Sequence, residues 1–483
     1  MDNKNNTQQK EKAFSSIGAK SFITVVLILV GAMLLSGILS YFIPQGSFLK
    51  DESGAIIEGT YTRGEVDGIA PWRVLTAPFR VFASEDALTV IMISVFLLVM
   101  SGVFNVLDKT GGTRVVISHL IRRLKDKGGP VVCLCTLIFM LFGSFFGMFE
   151  ELVTLVPIIV MFMLSMGMDT MTGLGACMLA ACFGFSAAIT NPFSVGLAAQ
   201  IAGTSVSDGV WLRIIFFGLI YLSVCIFLMM HLKKIEKNPK LSPSFESDLE
   251  RRSEAAEAIK SNLDEATERK LYKSWGIFFV VQLVLLVAIA TIRYISDLAI
   301  PILAVSFLVG GIICGTLTES KKSDTFRHLG AGAFAMLPAV ALIALASSVK
   351  LIMTESGIID TIMHAVIESL EGKGPFVSVL LIFLLILILQ VFIGSASAKI
   401  MLVMPIIMPI AGSLGISPAT VIIAYCMADG FTDVILPTNP VLLVGLSMAN
   451  VSYGKWVKWT WKLQLIILAL SVGILGFATL ISY

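Results

Sequence analysis

The sequence predicts an all-α, multi-pass membrane protein built from two inverted repeats, each with a re-entrant hairpin and a broken helix. Only 14% of the 483 residues are charged and 56% are apolar, with a mean hydropathy of +0.90. Soluble domains carry about 25% charged residues, so a chain this apolar belongs in a bilayer. Its apolar residues form runs long enough to cross a membrane, and two of those runs contain the same Thr-Asn-Pro tripeptide.

The two copies of the tripeptide lie 248 residues apart, which indicates an internal duplication. At the same offset, Pro157 matches Pro405 and Gly167 matches Gly415. Proline lacks a backbone donor and clashes with the carbonyl one turn back, so each copy predicts a broken helix. Paired breaks in two halves are typical of the binding site of a membrane transporter. The tripeptide residues are Thr190, Asn191, Pro192, Thr438, Asn439 and Pro440.

The first half is predicted to contain a polar tail, four crossings and a hairpin. Residues 1–21 are polar and lack the apolar core of a signal peptide, so we expect a cytoplasmic tail. The first repeat extends over residues 22–232. Its predicted crossings are 22–43, 87–106, the broken helix 172–202 and 211–232; the hairpin is 130–166, and 112–127 is an amphipathic surface helix.

The second half repeats this plan after a cytoplasmic linker at residues 233–274, where charged residues are frequent. The second repeat extends over residues 275–483. Its predicted crossings are 275–294, 300–317, 330–351, the broken helix 419–449 and 459–482; the hairpin is 375–413, and 357–370 is amphipathic.

Positive charge predicts the orientation. If each hairpin returns to its own side, the chain crosses nine times and its termini face opposite sides. With a cytoplasmic N-terminus, 26 of the 35 Lys and Arg residues fall in cytoplasmic segments, which satisfies the positive-inside rule. The first hairpin then enters from inside and the second from outside, as an inverted repeat requires. We therefore expect a cytoplasmic-membrane protein with an extracytoplasmic C-terminus.

Ionisable residues at membrane depth are the candidates for chemistry, because each costs about 2.5–3.5 kcal/mol on insertion scales and needs a cavity or a partner. Glu150 and Glu151 lie in the first hairpin, and Lys399 lies in the second at the position matching Glu151. Asp429 and Asp433 are one helical turn apart on the helix before the second break. These residues predict a substrate and coupling-ion site. The structural alternative is a Glu151–Lys399 pair, with Asp433 as a helix cap.

The residue types near the breaks leave the charge of the ligand open. Ser395 and Ser397, at the small-residue tip of the second hairpin, suit close approach of a ligand to backbone amides. Freed carbonyls and the side chains of Thr190, Asn191, Thr438 and Asn439 would suit a small cation such as sodium. Helix N-termini would instead favour a carboxylate. The 7 cysteines and 4 histidines show no metal-ligand spacing, so we predict no firm metal site.

Four strings of the sequence resemble the YfcC branch of the DcuC-like C4-dicarboxylate carrier family. They are EELV from Glu150, AITNPFSVG from Ala188, GSASAK from Gly394 and DGFTDVILPTNP from Asp429. The resemblance covers nearly the whole chain, and the last string is quite specific. It implies a member of the wider ion transporter superfamily, a homodimer with a scaffold and an elevator-type transport domain. That domain would hold both hairpins and both broken helices.

The predicted function is secondary active transport of a small carboxylate-bearing metabolite, coupled to a sodium or proton gradient. Sequences resembling this branch are also described as amino-acid antiporters, and four acids against one lysine at membrane depth would suit a cationic substrate. A channel would need a continuous polar stripe, whereas the acids cluster near the breaks. A membrane-embedded enzyme would need a nucleophile–base pair or a metal motif, and the sequence has neither. No cofactor and no nucleic-acid partner are predicted.

Overall fold

Helices make up most of the described chain. The structure, a computed structural model, describes residues 19–49, 59–85, 87–112, 115, 128–149, 152–249, 251–252, 265–291, 299–319, 321–370 and 372–483. The first half contains α1 (Ala19–Leu39), α2 (Pro71–Arg80), α3 (Ala87–Lys109), α4 (Gly128–Phe146), α5 (Val156–Ser165), α6 (Thr170–Ser186), α7 (Pro192–Ala202) and α8 (Val210–Lys237). A short antiparallel sheet pairs β1 (Gly46–Ser47) with β2 (Thr62–Arg63).

The second half is built from helices as well. It contains α9 (Glu265–Thr291), α10 (Ala299–Thr318), α11 (Lys322–Ala335), α12 (Leu337–Glu355), α13 (Ile358–Leu370), α14 (Pro375–Gln390), α15 (Ala396–Ser413), α16 (Pro418–Asp433), α17 (Pro440–Met448) and α18 (Tyr453–Leu480).

Seven helices of the described chain are long and apolar enough to cross a membrane. They are α3, α4, α8, α10, the nearly continuous pair α11–α12, α15 and α18. Five apolar helices of 10–17 residues are shorter than the ~20 residues of a typical membrane span: the apolar part of α1 (Val26–Leu39), α5, α6, α7 and α14. Apart from α1, predicted as a full crossing, these shorter helices lie in the segments predicted as hairpins and broken helices; α4 and α15, in the same two predicted hairpins, are long enough to cross. The chain is therefore a multi-pass membrane protein.

The two halves show matching helix packing. Helix α4 packs against α6 and α8, and its counterpart α14 packs against α16 and α18. Between the halves, α7 packs against α15 and α17 packs against α5, while α6 and α16 cross each other. These are the pairs that a duplication at an offset of 248 residues would produce.

Each break comes from local backbone chemistry. Helix α6 ends at Ser186, α16 ends at Asp433, and the next helices begin at Pro192 and Pro440. Proline is therefore not inside a helix but at the first position of the following one, where its missing N–H costs nothing and its φ suits the helix. The preceding asparagine is the N-cap in both copies.

Small residues allow the helices of this core to approach closely. A Cβ at Gly143 would lie 2.2 Å from the Ala181 carbonyl oxygen, and one at Gly430 would lie 2.3 Å from the Ser186 nitrogen. Between α6 and α16, Ser186 Oγ donates to the Met427 carbonyl at 3.0 Å. Small residues and such hydrogen bonds are how helices associate in a membrane, where apolar burial supplies little driving force.

Several bounds differ from the sequence prediction. Helix α1 ends at Leu39, before the predicted 43; α8 continues to Lys237; and α9 begins at Glu265, inside the predicted linker. The predicted span 330–351 is two helices that meet at Met336. The amphipathic helix predicted at 112–127 lies outside the described residues except at 112 and 115.

A buried polar network joins the segment after α8 to the start of α6. Asp169 caps α6, accepting from Thr172 N at 2.8 Å and Thr172 Oγ1 at 2.6 Å. Its Oδ2 accepts from Ser242 Oγ at 2.6 Å and lies 2.8 Å from His231 Nε2. Trp459 Nε1 can only donate, and it lies 3.1 Å from His231 Nδ1, so the ring proton is on Nε2 and points to Asp169. We call Asp169, His231, Ser242, Ser244 and Asp248 the linker network.

Asp248 is the second carboxylate of the linker network. It accepts from Thr170 Oγ1 at 2.5 Å, Thr170 N at 3.1 Å and Ser244 Oγ at 2.6 Å. A few residues on, Arg251 donates to the Ala449 carbonyl at 2.7 Å, just after α17. The linker thus contacts the start of the first broken helix and the end of the second.

The two carboxylates of the linker network differ electrostatically. Burial alone would raise the pKa of Asp169, but hydrogen bonds from His231, Ser242 and Thr172 hold it below its ordinary value. For Asp248, burial dominates and raises the pKa, although the hydrogen bonds from Ser244 and Thr170 oppose the rise.

Candidate functional site

The first break is fixed to the first hairpin by backbone hydrogen bonds. The carbonyl of Ser144, near the end of α4, accepts from the backbone nitrogens of Ile189, Thr190 and Asn191 at 3.1, 3.3 and 3.1 Å. Ser144 Oγ also donates to the Ala187 carbonyl at 2.6 Å. The donors freed by the break are thus satisfied inside the protein, as a non-helical segment at membrane depth requires.

Asn191 lies at the centre of the first break and is fully buried. Its Oδ1 accepts from Phe193 N at 2.9 Å, which caps α7. Gly147 adopts φ +66° beside it, and a Cβ there would lie 2.2 Å from Asn191 Oδ1, so the hairpin needs glycine at this point. Within the described residues, Asn191 Nδ2 has no hydrogen-bond partner.

The tip of the second hairpin meets the first break. Helix α15 begins at Ala396, and Ser395 Oγ caps it by accepting from Ala398 N at 3.4 Å. Ser397 Oγ lies 3.5 Å from the Phe193 carbonyl oxygen, so the N-termini of α7 and α15 are neighbours. Gly394 and Ser395 at the tip are exposed.

A buried ion pair lies one turn below this tip. Lys399 is 0% exposed and Asp429 is 1% exposed, with Lys399 Nζ 2.5 Å from Asp429 Oδ1. Lys399 Nζ also donates to the Ile393 carbonyl at 2.9 Å. The pair joins α15 to α16, and removing one partner would leave an uncompensated buried charge.

Asp433, one turn further along α16, is held by two amides. Its Oδ1 accepts from Gln390 Nε2 at 2.6 Å and from Asn439 Nδ2 at 2.9 Å. Asn439 Oδ1 in turn accepts from Val441 N at 2.9 Å and caps α17. We call Gln390, Lys399, Asp429, Asp433 and Asn439 the break cluster.

The break cluster is incompletely hydrogen-bonded. Asp429 Oδ2, Gln390 Oε1 and the nearby Thr432 Oγ1 are buried and have no hydrogen-bond partner among the described residues. A buried polar group without a partner costs about 1–3 kcal/mol. Such groups in a native fold need an explanation, and a bound ligand or proton is one.

The structure brings most of the predicted site residues together. Thr190 Oγ1 donates to the Phe145 carbonyl at 3.2 Å, and Thr438 is half-buried between α16 and α17. Glu150 and Glu151 lie outside the described residues. The described partner of Lys399, for which the sequence offered Glu151 as an alternative, is Asp429.

The side-chain oxygens of the break asparagines cap helices. The backbone nitrogens of Phe193 and Val441 can only donate, so the side-chain atoms that they contact are the amide oxygens of Asn191 and Asn439. Those oxygens already serve as helix caps, and the remaining amide nitrogens do not bind sodium. Two of the four side chains that the sequence suggested for a cation, Asn191 and Asn439, are thus used in capping.

Two residues of the site escaped the sequence analysis. Gln390 ends a long apolar run and is 2% exposed, yet it donates to Asp433. Ser144 is fully buried and holds the first break. A polar residue within an apolar run is the signal that would have identified both.

Comparison with known proteins identifies relatives over nearly the whole chain. The family model DcuC, described as C4-dicarboxylate anaerobic carrier, matches residues 20–481. The protein named putative basic amino acid antiporter YfcC, from Escherichia coli K12, is 27% identical over 475 residues, 90% of this chain and 92% of that protein. An uncharacterized protein of Haemophilus influenzae is 27% identical over 392 residues, 77% of this chain and 72% of its own length.

Two solved transporters also align with the chain. The YdaH transporter of Alcanivorax borkumensis is 17% identical, with a TM-score of 0.43, over 96% of this chain and 98% of its own. MtrF of Neisseria gonorrhoeae, described as illuminating a class of antimetabolite efflux pumps, is 18% identical, with a TM-score of 0.42, over 93% of this chain and 94% of its own. At these TM-scores neither structure carries an argument about this chain.

Proposed function

The chain belongs to the DcuC family of C4-dicarboxylate anaerobic carriers, and from that premise we propose that it is a secondary active transporter of a small carboxylate-bearing metabolite. A C4-dicarboxylate or a related organic anion is the substrate class proposed, with a sodium or proton gradient as the driving force. The substrate would bind where the second hairpin tip meets the first break.

The observation that carries this proposal is the convergence of two helix N-termini beside a free amide. Helices α7 and α15 begin next to each other, with Ser397 Oγ 3.5 Å from the Phe193 carbonyl oxygen. Helix N-termini carry partial positive charge and favour anions such as carboxylates. Asn191 Nδ2, a buried donor without a described partner, lies at the first of these N-termini.

The architecture proposed with this function is the one expected from the sequence. The halves would be inverted repeats, the hairpins re-entrant and the broken helices part of an elevator-type transport domain in a homodimer. The N-terminus would be cytoplasmic and the C-terminus extracytoplasmic, in the cytoplasmic membrane. Contacts support a common side for the linker and the end of α17, through Arg251 and Ala449.

An amino-acid antiporter is the second candidate, and a specific observation favours it. With both carboxylates ionised, Asp429 neutralises Lys399, and the break cluster carries one net negative charge and no further cation for a second carboxylate. An amino acid, with one carboxylate and one ammonium group, would suit that balance. The relative named as a putative basic amino acid antiporter is consistent with this candidate.

The first experiment is a thermal-shift screen of the purified protein against dicarboxylates and amino acids, with and without sodium. A ligand that binds only the folded state stabilises it by about 2.7 kcal/mol at 100-fold over its Kd. A dicarboxylate that shifts the transition would support the leading candidate, and a sodium-independent arginine or ornithine shift would favour the antiporter.

Ligands from the screen are then tested for uptake in proteoliposomes with an imposed cation gradient and for exchange without one. Gradient-dependent accumulation or counterflow is the expected result. If no organic acid or amino acid shows either, the proposal of a secondary transporter is wrong.

A further inference from the structure

The Lys399–Asp429 ion pair uses only one of the two Asp429 carboxylate oxygens, which leaves the other available to a proton. Asp429 Oδ1 is bound to Lys399 Nζ, while Asp429 Oδ2 is buried and has no hydrogen-bond partner in the described chain. From this arrangement we propose that Asp429 is the proton-binding residue that couples transport to a proton gradient, with Lys399 as its resident counter-cation. The inference rests on the proposed transport function and specifies its coupling ion.

The geometry offers a proton a site on Asp429. Asp429 Oδ1 faces Lys399 Nζ, and Asp433 Oδ1 faces Gln390 Nε2 and Asn439 Nδ2, whereas Asp429 Oδ2, Gln390 Oε1 and the nearby Thr432 Oγ1 are unpaired among the described residues. A sodium ion needs several oxygen ligands and would have to compete with the ammonium and amide donors around these oxygens. A proton needs only the free lone pairs of one oxygen, which Asp429 Oδ2 offers.

The charges around Asp429 favour proton binding when an anion arrives. With both carboxylates ionised, Lys399, Asp429 and Asp433 sum to one negative charge. Other titratable or charged side chains close to α16 among the described residues include Cys182 of α6, Tyr425 and Cys426 of α16 itself, Arg213 of α8, which faces Cys426, and Tyr483, which lies near Cys426 and Arg213. A substrate carboxylate at the neighbouring helix N-termini would add a second negative charge, and one proton would compensate it.

The proposed coupling step moves one proton together with one substrate carboxylate. A proton from water adds to Asp429 Oδ2, giving a neutral carboxylic acid, and the ion pair becomes an ammonium–acid hydrogen bond. Lys399 then carries an uncompensated positive charge that a substrate carboxylate can neutralise. Release of the carboxylate on the other side restores the ion pair and expels the proton. Proton and carboxylate therefore bind cooperatively, and by linkage each raises the affinity for the other by the same factor.

A purely structural pair predicts different behaviour. Such a pair would lose stability on mutation but would not exchange protons during transport. The readout must therefore be proton movement, which stability does not affect.

The first test uses the wild-type protein with succinate and arginine as probes. In weakly buffered detergent solution, addition of a transported probe is expected to cause proton uptake, and its Kd should rise by up to about tenfold per pH unit once Asp429 is ionised. In proteoliposomes, an acidic outside should drive accumulation in the absence of sodium. A pH-independent Kd without proton uptake would overturn the proposal.

The second test uses Asp429→Asn, which is nearly isosteric but cannot release a proton. We expect counterflow of the probe to persist within about tenfold, while accumulation driven by a pH gradient is lost. Asp429→Glu keeps an acid and should keep the pH-driven accumulation. Asp248→Asn is the matched control, since Asp248 is equally buried but belongs to the linker network, and its pH-driven accumulation should match wild type.

The outcomes separate this inference from the proposed function. Sodium-driven, pH-independent uptake by the wild type, or pH-driven accumulation by Asp429→Asn, would overturn the proton assignment and leave the transporter intact. Absence of both uptake and exchange of any probe by the wild type would overturn the transporter itself. If Asp429→Asn does not fold, the wild-type proton measurement decides.

Discussion

The linker network and the break cluster are both built around buried carboxylates, but they differ in how completely those carboxylates are hydrogen-bonded. Asp169 and Asp248 are 0% and 1% exposed, and each of their four oxygens accepts at least one hydrogen bond. Asp429 is also 1% exposed, but its Oδ2 has no hydrogen-bond partner among the described residues.

This difference separates a structural role from a functional one. A fully satisfied network in a low-dielectric interior holds one conformation, because any rearrangement breaks several strong hydrogen bonds. An under-satisfied cluster costs about 1–3 kcal/mol per unpaired group, and it can gain that energy back when a ligand or a proton arrives. The linker network therefore serves as an anchor, and the break cluster is the part expected to change state.

The largest loss of stability is expected for Lys399→Ala. It leaves Asp429 charged, buried and unpaired, which should cost about 3–5 kcal/mol in free energy of unfolding. The apparent melting temperature and the yield of monodisperse protein measure this loss. If Lys399 also binds substrate, uptake of anionic probes should fall more than uptake of cationic ones, per amount of folded protein.

The double variant Lys399→Met with Asp429→Leu tests whether the pair is only structural. Replacing a buried ion pair by apolar residues of similar volume is often neutral or stabilising, so most of the stability should return. Proton-coupled transport should not return. If the double variant transports with pH coupling, the Lys399–Asp429 pair has only a structural role, and the break cluster is an anchor like the linker network.

Asp169→Asn should produce the next largest effect, a loss of about 1–3 kcal/mol at neutral pH without a change in pH-driven transport. Because the folded protein holds the pKa of Asp169 below its ordinary value of 3.8, this stabilisation is present above that value and is lost as the pH falls further. The stability difference between wild type and Asp169→Asn should therefore shrink below about pH 4.

Asp248→Asn is the matched comparison for Asp169→Asn. Burial raises the pKa of Asp248, so its charged form contributes less to folding at neutral pH, and the variant should cost less than Asp169→Asn. Denaturation curves from pH 3 to 7 measure both. A larger loss for Asp248→Asn would contradict the electrostatic contrast within the linker network.

The sequence could locate both breaks because their causes are local. A capping asparagine followed by proline at the first helical position acts within one turn, and the 248-residue offset marked both copies. The partner of Lys399 was not predictable, since it depends on how α15 packs against α16. Gln390 is recognisable as a polar residue at the end of an apolar run, but its partner Asp433 was not predictable, because that contact depends on how α14 packs against α16.

Asn439→Ala is expected to cost about 1–2 kcal/mol, and Asn191→Ala less, although both should abolish transport. Both variants lose a helix cap, but only Asn439 also donates to Asp433, whereas Asn191 Nδ2 has no described partner. Melting temperature and probe uptake are measured together. Asn238→Ala is the control, since Asn238 caps Pro239–Leu241 in the linker, and this variant should transport normally.

Normal transport by either break variant would show that the Thr-Asn-Pro copies are structural joints, not part of the binding site. Equal losses of stability would indicate that the Asn439–Asp433 hydrogen bond contributes little. In either case the break cluster would be more of a structural anchor, like the linker network, than its unpaired atoms suggest.

The smallest effect on stability is expected for Trp459→Phe. This variant removes the indole N–H that donates to His231 of the linker network and keeps an aromatic ring. The indole N–H donates to His231 Nδ1 at 3.1 Å, and a net hydrogen bond of this kind contributes about 0.5–1.5 kcal/mol. We expect a small fall in melting temperature with unchanged transport. Trp461→Phe is the control: that side chain is 45% exposed on the same helix, so its variant should melt like wild type. Reduced pH-driven uptake by Trp459→Phe at unchanged stability would show that the linker network also takes part in the transport cycle.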